Sequence, residues 1–204
     1  MIAEVKTLNA IPVAGKFPEL ETDRLLLRQM TLRDVPDLFN IWSDSEVARY
    51  INITAFKEVS QAREMVELLN KLAEEKKAIR WGITLKETKK VVGSGGFNSW
   101  LKEEAYRGEI GYDLDREYWG KGIMTEALQA LISFGFGSMK LNRIEALVEP
   151  ENTASIHLLN KTGFLEEGLL REYQVSKERF IDLKIFSLLK REYLSEGSIL
   201  EKYR

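Results

Sequence analysis

Three strand-like segments follow one another between residues 79 and 114 with no helix between them, and this run restricts the fold more than any other feature. Ile79 to Leu85 alternates in polarity, and Val91 to Phe97 follows the turn-like KETKK, so the two read as a hairpin. Gly108 to Leu114 (GEIGYDL) reads as a third strand. Before them, Thr22 to Met30 (TDRLLLRQM) is a strand candidate. Thr31 opens an N-cap pattern into the amphipathic DLFNIW, and Val59 to Lys76 places Ala62, Met65, Val66, Leu69 and Leu72 on one helical stripe. After them come a helix from Gly120 to Phe136 ended by Gly135 and Gly137, a short strand from Arg143 to Val148, and a helix from Asn152 to Lys161 stopped by Gly163. Two further strands, Phe164 to Gln174 and Phe180 to Leu189, close the pattern. The order β-α-α-β-β-β-α-β-α-β-β predicts an α/β (α+β) domain with a hairpin-rich mixed sheet and helices on both faces, not a strictly alternating parallel sheet.

At 204 residues with 44% hydrophobic content, the chain suits one domain with a substantial core. We expect that domain over residues 21–194, with residues 1–20 as a loosely held extension carrying Pro12, Gly15 and Pro18, and 195–204 as a tail. The charge is balanced, 30 Lys+Arg against 32 Asp+Glu, without the basic excess of a general nucleic-acid binder. Zero cysteines exclude disulfides and a thiol nucleophile, and a single histidine further excludes a zinc site of the usual Cys/His kind. Met1 to Leu20 lacks a basic start followed by an apolar run, and no stretch approaches the ~18 apolar residues of a membrane span, so a soluble cytoplasmic protein is expected.

The richest segment is Glu109 to Leu128, EIGYDLDREYWGKGIMTEAL. A strand runs into a turn with Gly120 and Gly122, and the turn opens a helix. Glycines there let the backbone approach a ligand closely, and the first helical turn offers N–H groups without intrahelical partners. With the helix dipole and Lys121 they make an anion site that suits a pyrophosphate, and Thr125 adds a hydroxyl. A plain strand-to-helix turn would use the same glycines. Two other phosphate motifs fail. A P-loop needs Ser or Thr after Gly-Lys and a glycine where Asp115 stands; a dinucleotide fingerprint needs glycine where Thr125 stands, and GSGG at Gly93 to Gly96 fails it at Asn98.

YWGKGIMTEAL followed by RIEALVEPENTASIHLLNKTGF resembles the GNAT superfamily of N-acetyltransferases, and with the opening LETDRLLLRQMTLRDVPDLFNIWSD it looks like the RimJ/RimL branch, the ribosomal-protein N-terminal acetyltransferases. The likeness runs from about Glu19 to Tyr193. It implies a mostly antiparallel, twisted sheet splayed between its fourth strand, GEIGYDL, and its fifth, RIEALV. Acetyl-CoA would lie in that cleft as co-substrate, with the amine opposite. The superfamily pattern Gln/Arg-x-x-Gly-x-Gly/Ala is broken here: Glu117 holds its first position and Arg116 sits one residue early, so backbone N–H groups and Lys121 are expected to dominate. The resemblance admits a monomer or a homodimer.

The resemblance also assigns roles. Glu109 matches the fourth-strand glutamate that serves as base in several members; an ordinary strand glutamate paired with Arg107 is the alternative, and Glu145 is a weaker candidate base. Backbone N–H groups near Tyr112 to Leu114 would hold the oxyanion. The helix after the fifth strand has Leu159 where many members carry a tyrosine acid. Ser155 matches the serine proposed to serve the leaving thiolate in the RimL type, although a serine there can simply satisfy the first turn. Trp119, Gly120, Lys121, Gly122, Ile123 and Thr125 would line the cofactor, Asn152 would bond pantetheine while capping its helix, and Asn160 would reach the nucleotide end. His157 reads as a packed or surface residue. Trp42, Arg49 and Tyr50 fall in the helix-loop-helix over the acceptor side, with core packing favoured for Trp42. The acceptor implied is a protein N-terminal α-amine; a small amine such as a polyamine, aminoglycoside or antimicrobial, or a non-catalytic acyl-CoA sensor, are the alternatives.

Overall fold

The structure, a computed structural model, describes residues 6–7, 17–102 and 105–194. The expected tail and all but Lys6, Thr7 and residues 17–20 of the expected extension lie outside them. In chain order the elements are β1 (Lys6–Thr7), β2 (Leu20–Glu21), β3 (Leu25–Arg28), α1 (Val35–Ser43), α2 (Ser45–Ala48), α3 (Val59–Glu74), β4 (Ile79–Leu85), β5 (Val91–Leu101), β6 (Arg107–Leu114), α4 (Ile123–Gly137), β7 (Arg143–Val148), α5 (Thr153–Lys161), β8 (Leu165–Ser176) and β9 (Arg179–Leu189). The strands form one sheet, ordered β1-β2-β3-β4-β5-β6-β7-β9-β8. Every neighbouring pair is antiparallel except β6 and β7.

The two faces bury separate cores. Val91 and Met30 join Leu38, Ile41 and Trp42 of α1 and Ala62 and Val66 of α3. Val92, the next residue, turns to the opposite face with Leu25, Leu27, Trp81, Ile83 and Ile110, against Ala127, Leu128 and Leu131 of α4. α4 is apolar nearly all round because it is a core helix, with Phe134 against Trp81 (ring centroids 5.1 Å apart). Residues 17–20 belong to this core and not to a loose extension. Leu20 is fully buried, Phe17 meets the Trp81 ring at 5.5 Å, and Trp81 Nε1 donates to the Pro18 carbonyl at 2.7 Å.

Several boundaries shift from expectation, and two of the shifts have clear local reasons. The helix expected from Gly120 starts at Ile123, because Gly120 (φ 71°) and Gly122 (φ 73°) are left-handed and cannot continue an α-helix. β5 runs on to Leu101 because a bulge at Asn98, between the pairs Phe97–Ile110 and Ser99–Glu109, lets the ladder resume.

β6 and β7 pair only over Arg107–Arg143, Gly108–Ile144 and Glu109–Glu145. Beyond Glu109, β6 stays with β5 up to Leu114 while β7 stays with β9 up to Val148, so the sheet splays there.

Arg28 at the end of β3 ties the sheet to α1. Its Nη1 and Nη2 donate to Asp34 at 2.8 and 2.7 Å, and the same carboxylate accepts from the Thr31 N–H at 2.7 Å. Burial opposes ionisation of Asp34, but these bonds outweigh it and lower its pKa from 3.8. A carboxyl whose folded pKa is depressed contributes stability above its unfolded pKa and loses it as pH falls through the folded value. Asp34→Asn should therefore cost about 3 kcal/mol at neutral pH by leaving Arg28 unpaired. It should also reduce the loss of stability below pH 3.8, which denaturant titrations across pH will check.

Candidate active site

The splay opens two cavities that share a wall. The larger, about 550 Å³, runs along the start of α4 and one face of α5; the smaller, about 380 Å³, lies between β6, β7, the α2–α3 connection and the β8–β9 hairpin. Tyr50, Ile51, Tyr112, Asp113, Asn152 and Ser155 line both.

The larger cavity is built by the turn after β6. Trp119 Nε1 donates to the Leu114 carbonyl at 2.9 Å, folding the turn back onto its strand. Gly120 and Gly122 then present backbone, and a Cβ at Gly120 would meet nothing within 4 Å, so the approach is open. The first i→i+4 bond of α4 runs from the Glu126 N–H to the Gly122 carbonyl, which leaves the N–H groups of Ile123, Met124 and Thr125 as first-turn donors. Leu114, Trp119, Gly120, Gly122, Ile123 and Thr125, each expected near the cofactor, all line this cavity.

Glu126, in the same first turn, would repel an anion, and its charge is answered from β2 and β3. Thr22 Oγ1 donates to it at 2.6 Å, the Arg24 N–H at 2.9 Å and Arg24 Nε at 2.6 Å, while Arg24 Nη1 donates to the Lys121 carbonyl at 3.1 Å. Burial of Glu126 raises its pKa, but the bonds from Thr22 and Arg24 prevail and hold it ionised below the usual carboxylate value. Arg24 thus both neutralises the carboxylate and ties down the glycine turn. The strand reading of TDRLLL gave no sign of this, because the partner lies 102 residues away.

Two residues expected at the cofactor, Lys121 and Asn160, stand off this lining. Lys121 turns aside, its Nζ 5.3 Å from the Tyr118 ring, so its charge flanks the lining and does not join it. Asn160 is exposed and off the cavity face of α5; Ala154, His157, Leu158 and Lys161, one stripe at i, i+3, i+4 and i+7, form that wall, so His157 is a wall residue too. Glu117 points outward at 68% exposure near Lys90, and Arg116 pairs with Asp44 at 3.2 Å.

Glu109 lies in the smaller cavity with Arg80, Asp113 and Glu149. Arg80 is committed to Asp113 (2.6 Å), so the carboxylates of Glu109 and Glu149 give the cavity an acidic character suited to an ammonium. The bulge aims Asn98 at Glu109, Nδ2 donating to Oε1 at 3.0 Å, and Gly111 provides the space: a Cβ there would sit 2.7 Å from Asn98 Nδ2. An asparagine inside a strand, disfavoured there, was the available signal for it. Arg107 pairs with Glu145 at 2.8 Å and not with Glu109, and Arg143 holds the other oxygen of Glu145 at 2.6 Å, so Glu145 is occupied structurally. Trp42 is 2% exposed, packs on Phe56 and still lines this cavity.

On α5, Asn152 Oδ1 accepts from the Ser155 N–H at 3.1 Å. The first turn is capped by Asn152, which frees the Ser155 hydroxyl to meet Tyr112 Oη at 2.8 Å across the splay.

A splayed mixed sheet with a glycine turn at the head of α4 defines an acyl-CoA-dependent transferase fold. Residues 24–165 match the family model described as "Acetyltransferase (GNAT) domain", and the chain belongs to that family. It is 56% identical, over 85% of its length and 97% of the relative's, to a protein of Bacillus licheniformis called "Uncharacterized N-acetyltransferase p20". It is 27% identical, over 76% of its length and 81% of the relative's, to the [Ribosomal protein uS5]-alanine N-acetyltransferase of Escherichia coli. A crystal structure of a GNAT-family acetyltransferase from Bacillus anthracis superposes with a TM-score of 0.75 at 30% identity, covering 85% of this chain and 99% of that one. The protein is an acetyl-CoA-dependent N-acetyltransferase, and the open cradle at Gly120 fits such a co-substrate.

Arg24→Ala should raise the Kd for coenzyme A about tenfold, a loss of about 1.4 kcal/mol, because it frees the turn and bares Glu126. Arg24→Lys should not restore affinity, since one ammonium cannot span both partners. Calorimetry on the two variants checks this; unchanged affinity would mean that the turn holds without the clamp.

Proposed function

We propose that the protein acetylates the α-amine of a protein N-terminus by direct transfer from acetyl-CoA in a ternary complex. The observation that carries this reading is the meeting of two cavities at one wall, with Glu109 on one side and Ser155 at the seam. Acetyl-CoA supplies an activated acetyl group, and the chain's own residues do the rest. Glu109, oriented by Asn98, takes the proton of the amine, directly or through a water. The N–H groups of β6 beyond Glu109, where pairing with β7 has ended, are donors for the developing oxyanion. Ser155 presents its hydroxyl to the departing sulfur.

Acidity favours the α-amine. With a pKa of ~8, about one α-amine in ten is neutral at pH 7, against about one lysine amine in 2,500 at ~10.4. A carboxylate is a weak base, so the acceptor that releases its proton most easily suits Glu109 best. Similarity to the uS5-alanine acetyltransferase favours the same acceptor. A second reading, a compact free amine, draws support from Lys177 at the β8–β9 tip. Its Nζ donates to the Ala48 and Arg49 carbonyls at 2.8 and 2.9 Å and pins the hairpin beside the smaller cavity.

Thiol release measured with a panel of N-terminal peptides and of small amines separates the two. Peptides should turn over with the higher kcat/KM; activity confined to polyamines would reverse the assignment. Glu109→Gln should lower kcat by roughly 10²–10⁴-fold with coenzyme A affinity intact, the range of a lost general base.

A further inference from the structure

We propose that the Tyr112 hydroxyl is a positioning group for the leaving sulfur, acting through Ser155. The inference rests on the acetyl-transfer reading above.

Tyr112 stands on β6 and Ser155 on α5, 43 residues apart, and their hydroxyls meet at 2.8 Å. Both residues line both cavities, so the contact lies where the thioester and the amine would come together. Each hydroxyl has one proton to donate. If Ser155 donated to Tyr112, the phenol would hold the spare proton and the serine would have none left for the sulfur. If Tyr112 donates to Ser155, the serine proton is turned outward, toward the sulfur. Burial, against a smaller opposing effect of the Ser155 bond, pushes the Tyr112 hydroxyl up to about 12, so the phenol keeps its proton throughout the physiological range and remains available as a donor. Because the Ser155 N–H is already taken by Asn152, the serine is held on one side by the helix cap and on the other by Tyr112.

The same acidity separates positioning from proton transfer. The amine nitrogen bonds to the carbonyl carbon, its proton passes to Glu109, and the carbon–sulfur bond breaks with its electron pair going to sulfur. A cysteine thiol has a pKa of ~8.5, well below this phenol, so moving a proton from Tyr112 to a thiolate would be uphill. Tyr112 therefore keeps its proton. The sulfur leaves as thiolate, hydrogen-bonded by Ser155, and is protonated later by solvent.

The test is a cycle of Tyr112→Phe, Ser155→Ala and the double variant, with thiol release and coenzyme A affinity measured for each. Tyr112→Phe should lower kcat roughly tenfold, less than the loss of a direct oxyanion donor, with both KM values within about twofold. The double variant should be no slower than Ser155→Ala alone, which a merely structural role for the tyrosine would not produce. An undiminished kcat in Tyr112→Phe, or single effects that multiply in the double variant, would overturn the proposal. If Tyr112→Phe does not fold, 3-fluorotyrosine at position 112 keeps the hydroxyl and makes it a stronger donor; kcat should rise, and an unchanged kcat overturns the proposal. If the wild-type protein releases no thiol with any amine, the transferase reading itself fails. If it turns over and Tyr112→Phe matches it, only the role of Tyr112 is lost.

Discussion

A parallel strand pair holds only while both strands keep their evenly spaced, slanted hydrogen bonds, and here that pairing ends at Glu109 and Glu145. Each strand has a stronger commitment on its other side. β5 holds β6 antiparallel to its last residue, and β9 holds β7 along all of Arg143 to Val148. The bulge at Asn98 falls at the step where the parallel ladder stops, and a bulge increases twist and bends a strand. One extra residue in β5 thus accounts for three features together: the divergence of β6, the free backbone donors beyond Glu109, and an asparagine aimed at the Glu109 carboxylate.

The electrostatics divide along the same line. On the acceptor side, Arg80 is absorbed by Asp113 and Ser94, which leaves carboxylates to meet an ammonium. On the cofactor side, the head of α4 offers N–H groups, and the acidic residue in that first turn is cancelled by Arg24. Thr22, which donates to the same carboxylate, and the Arg28–Asp34 pair anchor the first strands, so the start of the domain, which makes no chemical contact with the proposed reaction, sets the shape of the turn at Gly120. Across the seam the hydroxyls of Tyr112 and Ser155 meet, which suits a place where a thiolate forms and then departs.

Much of the fold was legible because the strands are strongly patterned: Ile79–Leu85 and Arg143–Val148 match residue for residue. The cap of α5 was legible too, since Asn152 has the chemistry and spacing that a helix start requires. What escaped depends on contacts distant in sequence or on backbone irregularity. α2 is only four residues long, too short for periodicity to register. Asn98 acquires its role from a bulge, Arg24 from a partner on another element, and Lys177 from carbonyls 129 and 128 residues away. The place of Asn160 off the cavity face was legible as well: counting three and four from Ala154 leads to His157, Leu158 and Lys161, and passes Asn160 by. Lys121 was read for its charge, and a sequence does not show that its ammonium lies 5.3 Å from the Tyr118 ring.

The most direct test of the parted-strand account is a crystal structure with coenzyme A bound. It should place the pyrophosphate against the N–H groups between Gly120 and Thr125, and the sulfur within about 3.5 Å of Ser155 Oγ, on the far side of β6 from the Glu109 carboxylate. A coenzyme lying elsewhere on the protein, or a sulfur remote from the gap between β6 and β7, would contradict it.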